Sequence, residues 1–92
     1  MDVYIDFAEI GDYEDFYDAL KKKVVLPDYF GNNLDALNDV LMGGLSMPLN
    51  IEFVNMNVDQ LETFEDLLET MEDAADQVDG LGFSYFLEQY EE

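Results

Sequence analysis

Apolar residues recur at every second position in three short stretches of this chain, and segments of helical period separate those stretches. Val3, Ile5 and Phe7 alternate with Tyr4 and Asp6. Leu49, Ile51 and Phe53 alternate with Asn50 and Glu52 in a stretch running to Val54, and Phe83, Tyr85 and Leu87 mark the last. A period of two gives a strand one apolar face. Strands joined through helices do not form hairpins; they pair in parallel through right-handed crossovers. Since each strand has one apolar side, the helices belong on that side. The expected fold is therefore α/β and two-layered: a three-stranded parallel β-sheet in sequential order with helices packed on one face.

The intervening segments carry their own start and stop signals. Gly11 breaks the first strand, and Asp12 can cap a helix with Asp15 in the capping-box position. Tyr13, Phe16, Tyr17 and Leu20 follow at helical spacing, and Lys21, Lys22 and Lys23 sit where cations complement a helix carboxyl end. Pro27 disfavours helix at Leu26. Asn32 or Asn33 should cap a second helix through Leu41, with Leu34, Leu37 and Leu41 on its buried stripe, and Met42-Gly43-Gly44 stops it. A third, long helix is expected from one continuous face of Leu61, Phe64, Leu67, Leu68, Met71, Ala74, Ala75 and Val78, ended by Gly80 or Gly82.

Composition narrows the chemistry. The 92 residues suit one domain, 1–92, and 49% apolar content supports a core. Twenty-three acidic residues face three lysines, with neither arginine nor histidine, for a formal charge of −20. Such a chain should repel nucleic acid and anionic membranes, and attract a basic partner at a rate that falls with salt. No apolar run is long enough to cross a bilayer, and the start lacks a signal-peptide pattern, so a cytoplasmic location is expected. Absent cysteine and histidine remove the commonest nucleophile, general base and transition-metal ligands. No calcium-loop or phosphate-loop pattern occurs, so neither a cofactor nor catalysis is expected.

Two acidic surfaces remain. Asp35, Asn38 and Asp39 lie three or four apart on the second helix, opposite its leucines, beside a loop with two aromatics, Tyr29 and Phe30. That arrangement resembles an interface centre with polar anchors. It is also what an ordinary solvated face would look like, with Tyr29 or Phe30 roofing the core. The long helix carries Glu65, Glu69, Glu72, Asp73 and Asp76 along one side, which is either a solvated face or a charged strip that mimics nucleic acid.

The run Leu26-Pro27-Asp28-Tyr29-Phe30-Gly31-Asn32-Asn33-Leu34-Asp35-Ala36-Leu37, continued by Asn38-Asp39, closely resembles the barstar family of ribonuclease inhibitors. The likeness extends upstream through the first helix and its lysines and downstream through Pro48-Leu49 and Glu52-Phe53, and thins over the last helix and strand. It implies a three-stranded parallel sheet with helices. It also implies an inhibitor that covers a ribonuclease active site with the second helix and the preceding loop. Under that resemblance Asp39 matches a central carboxylate standing in for substrate phosphate, and Asp35 a second acid. Tyr29 matches an aromatic packing on the enzyme, Gly31 and Asn33 belong to the contacting loop, and Asp73 falls near a peripheral glutamate. Two places depart from the pattern: Asn38 replaces a large aromatic, and Met42-Gly43-Gly44-Leu45-Ser46 replaces a more aromatic, acidic contact loop. The candidate partner-binding set is thus Tyr29, Phe30, Gly31, Asn33, Asp35, Asn38, Asp39, Gly43 and Asp73. The expected partner is a basic nuclease, of the barnase-type ribonuclease class, inhibited in a similar mode by a protein that is monomeric when free. The alternative is an acidic nucleic-acid mimic, or a salt-adapted acidic domain binding a different basic protein.

Overall fold

Strand β1 (Asp2–Asp6) buries Val3 and Ile5 and exposes Asp2, Tyr4 and Asp6, the alternation a half-covered strand requires. The computed structural model describes residues 1–28 and 30–88. Strands β2 (Leu49–Met56) and β3 (Leu81–Leu87) complete a parallel sheet in the order β1-β2-β3, with Val3 opposite Ile51 and Ile51 opposite Phe83. Among the described residues four α-helices join the strands: α1 (Tyr13–Lys23) and α2 (Leu34–Gly43) between β1 and β2, then α3 (Val58–Thr63) and α4 (Glu65–Gln77) between β2 and β3. Their apolar faces meet the Val3, Ile5, Leu49, Ile51 and Phe53 side of the sheet. Tyr4, Ser84 and Phe86 on the opposite side stay exposed, so among the described residues the sheet is covered on one face only. Among the described residues no helix is long and apolar enough to cross a membrane.

Four fully buried phenylalanines form the centre of the core. The Phe7 ring lies 4.8 Å from Phe53, 5.3 Å from Phe64 and 6.0 Å from Phe16, which joins β1's exit, β2, α3's end and α1 in one cluster. Phe7 itself lies just past β1, in a 3-10 turn over Phe7–Glu9 capped by the Asp6 carboxylate. At the far end of β2 the inward parity changes from Phe53 to Met56. Asn55, at φ 60°, absorbs the extra residue, and its amide donates to Asp6 Oδ1 at 3.1 Å.

The long third helix expected from its stripe is instead two helices. Phe64 leaves helical geometry at φ −106°, ψ 22°, although its backbone still bonds to Gln60 on one side and Leu68 on the other. The apolar stripe runs on through the break at Phe64, with Phe64, Leu67, Leu68, Met71 and Ala74 buried. The reason lies in Gln60, a buried amide in a capping box with Asn57, whose Nε2 donates to both Phe7 O and Ile10 O at 2.8 Å. This clamp ties α3 to the turn after β1, while α4 follows its own packing against α2 and β3. Two local expectations also shift. Asp15 accepts from Gly11 N rather than from the Asp12 backbone, so the expected capping box is displaced by one residue. On β3, Leu81 is buried and Phe83 half-buried, but Tyr85 and Leu87 are 41% and 47% exposed. An edge strand has a neighbour on one side only, and cover runs out toward its end.

Candidate functional site

The segment from α1 to α2 is shaped by a few local bonds. After Lys23 the backbone extends, and a turn returns through Phe30 N to Pro27 O at 3.0 Å. That turn sets the half-buried Phe30 ring edge-on to Tyr17, with centroids 5.8 Å apart. Burial, helped by the neighbouring Tyr13 hydroxyl, pushes the Tyr17 phenol up to about 12, so the ring supporting Phe30 stays neutral across the physiological range. Phe30 therefore does roof the core, as the plain reading of the loop anticipated, while its outer side remains available.

Asn33 then starts α2. Its Oδ1 accepts from Ala36 N at 2.8 Å and its Nδ2 donates to Gly31 O at 3.1 Å, so one side chain caps the helix and holds the loop before it. A side chain at residue 31 would bring its Cβ within 3.2 Å of that Nδ2, which is why glycine suits this place. Leu37, Val40 and Leu41 are buried under α2, while Asp35, Asn38, Asp39, Met42 and Gly43 face solvent. Asp35 lies in the first turn, where a carboxylate is favoured by the helix dipole.

Residues four apart stack along a helix. The row Asp35, Asp39 and Gly43 runs beside the row Ala36, Val40 and Gly44, and both line a surface hollow of about 520 Å³. Phe30, Gly31 and Asn33 complete its lining. Asp35 and Asp39 thus start about 6 Å apart along the helix axis on a support fixed by packing. They border a floor of small residues with room for a partner's side chain.

Of the sequence-derived candidates, the structure brings Phe30, Gly31, Asn33, Asp35, Asp39 and Gly43 around this hollow. Asn38 is exposed on the same helix without lining it, and Asp73 is exposed on α4, the helix packed against α2. Tyr29 lies outside the described residues. Ala36, Val40 and Gly44 were missed as lining; their spacing, one residue on from the acidic row, was the available signal. No group of side chains suited to holding a metal ion occurs among the described residues.

Comparison with known proteins bears on the family of this chain. Residues 1–88 match the family described as "Barstar (barnase inhibitor)". A stretch of 58 residues is 43% identical to "Putative ribonuclease inhibitor YrdF" of Bacillus subtilis (strain 168). That stretch spans 58% of this chain and 64% of the relative, slightly under two thirds of its length. The sheet order β1-β2-β3, the loop closed by Asn33 and the match over residues 1–88 lead to one assignment: this chain belongs to the barstar family.

Proposed function

We propose that this protein is a ribonuclease inhibitor that covers the basic active site of a barnase-type enzyme with α2 and the preceding loop. One observation supports this above all: Asp35 and Asp39 project from a rigid helix beside a hollow whose rim the loop residues complete. A ribonuclease gathers cationic groups to bind phosphate and to stabilise the charge of phosphoryl transfer. Two fixed carboxylates meet that cluster without a phosphodiester to cleave, so the enzyme is occupied and not turned over. The family description names an inhibitor, not an enzyme, in keeping with this role.

The formal charge of −20 has a separate effect. It accelerates encounter with a basic enzyme and is screened by salt, whereas desolvated pairs at α2 govern dissociation. The test is inhibition and binding of barnase by Asp39→Ala and Glu69→Ala proteins. Asp39→Ala should lose about 2–5 kcal/mol, the usual range for truncating one member of a desolvated charge pair, for which a complex of this family is itself a standard example. Glu69→Ala, on the exposed side of α4, should chiefly alter the association rate. Equal losses at the two positions would refute a focused plug in favour of diffuse charge.

A further inference from the structure

We propose that α4 is the ionic-strength-sensitive element of this protein, held in place by its buried face against repulsion that only mobile ions relieve. The contrast with α1 carries the inference. In α1 every end signal agrees with the helix dipole: Asp12 caps the amino end, Glu14 and Asp15 occupy the first turn, and Lys21, Lys22 and Lys23 fill the last. In α4 the signals conflict. Glu65 and Asp66 suit the first turn as in α1, but Phe64 supplies no side-chain cap, and the last turn carries no basic residue. Asp76 stands in that turn and Asp79 follows it, both beside the negative end of the dipole.

Along the helix, like charges repeat at the spacings that bring them together. Glu65 and Glu69, Glu69 and Asp73, and Glu72 and Asp76 are four apart; Asp66 and Glu69, Glu69 and Glu72, and Asp73 and Asp76 are three apart. The elements packed on α4 add to the problem. α2 brings Asp35 and Asp39, α3 brings Asp59 and Glu62, and β3 brings no charge. All the cations of the chain's side chains are on α1. Leu67, Leu68, Met71 and Ala74, buried beneath the helix, oppose this repulsion.

Screening sets the balance. At about 10 mM salt the Debye length is about 30 Å and every α4 carboxylate feels the others; near 1 M it is about 3 Å, shorter than their spacing. Local opening of α4 is therefore expected at low ionic strength, ahead of global unfolding. Because α4 packs against α2, salt acts on the free protein in the opposite sense to its effect on encounter with a basic partner. The inference concerns the free chain and does not depend on the ribonuclease reading.

Hydrogen exchange on the free protein, at constant pH and corrected with an unstructured peptide, tests it. Between about 0.5 M and about 10 mM sodium chloride, amides of α4 should exchange roughly tenfold faster, and those of α1 less than about twofold. Choline chloride should reproduce the protection given by sodium chloride. Glu69→Gln with Glu72→Gln should remove most of the α4 response, and Glu14→Gln with Asp18→Asn should leave it intact. An equal response in α1 and α4, or none in either, overturns the proposal. So does protection by sodium that choline fails to give, since that would be ion binding and not screening.

Discussion

Replacing Asn33 separates two jobs that one side chain performs at the edge of the hollow. In Asn33→Ala the Ala36 N–H loses its cap acceptor at 2.8 Å and Gly31 O loses its donor at 3.1 Å. Losing an asparagine cap costs about 1 kcal/mol, within a range of about 0.5–2. The second bond is solvent-exposed, so its loss belongs at the low end of the usual range, about 0.5 kcal/mol. The sum is about 1.5 kcal/mol, or about 6–12 °C in Tm for a chain of this size. Asn33→Asp keeps the acceptor and gains a favourable interaction with the helix dipole, offset by the nearby Asp35; its stability should stay within about 0.5 kcal/mol of the unaltered protein. Yet it cannot donate to Gly31 O, so the loop is untied while the helix stays capped. Urea unfolding followed by circular dichroism measures both changes, with equal slopes required for the comparison. Ribonuclease inhibition by Asn33→Asp should weaken although the fold is intact. If Asn33→Asp destabilised as much as Asn33→Ala, the cap would not be the source of the loss. If Asn33→Ala cost under about 0.3 kcal/mol, the local account of α2 would be wrong.

Other expectations follow from single contacts. Gln60→Leu removes the side-chain donor from Ile10 O and from Phe7 O, which keeps its bond from Ile10 N, and should cost about 1–3 kcal/mol in urea unfolding; a loss under about 0.5 kcal/mol would show that the clamp is not needed. Tyr17 has its folded-state pKa raised to about 12, so its contribution is complete below the unfolded value near 10 and is lost as pH rises between the two. Stability should fall by roughly 2 kcal/mol over that window, and Tyr17→Phe should flatten the fall. Gly43→Ala meets no atom of the described residues within 4 Å, so it should not lower Tm, and a gain of up to about 1 kcal/mol is expected for a helical glycine. In the hollow, the added methyl should weaken ribonuclease binding severalfold; unchanged inhibition would place Gly43 outside the contact.

The layered α/β fold could be read from the chain because two periods recur without interruption. Val3, Ile5, Leu49, Ile51 and Phe53 fall on one side of their strands whatever else the molecule does, and crossover handedness leaves few ways to join them. The starts of α1 and α2 were legible as well, since caps act over three or four residues: Asp12, and Asn33 of the two asparagines offered, bond to backbone they nearly adjoin, whereas α2 runs on through Met42 and Gly43, past the end expected at Leu41. Asp35 and Asp39 could be placed together on the outer side of α2 for the same reason.

What the sequence could not decide were matters of contact between distant segments. The stripe from Leu61 to Val78 has one period, yet Gln60 anchors α3 to residues some 50 positions earlier, and the helix breaks at Phe64. Cover over Tyr85 and Leu87 depends on where the helical layer ends, and no residue of β3 records that. Phe30 packs on Tyr17 and lines the hollow at once, a pairing that only the meeting of loop and helix establishes. Local periodicity and capping are short-range and so are written in neighbouring residues. The hollow, the helix break and the limits of burial arise where elements remote in the chain compete for the same space, and tertiary packing alone resolves that competition.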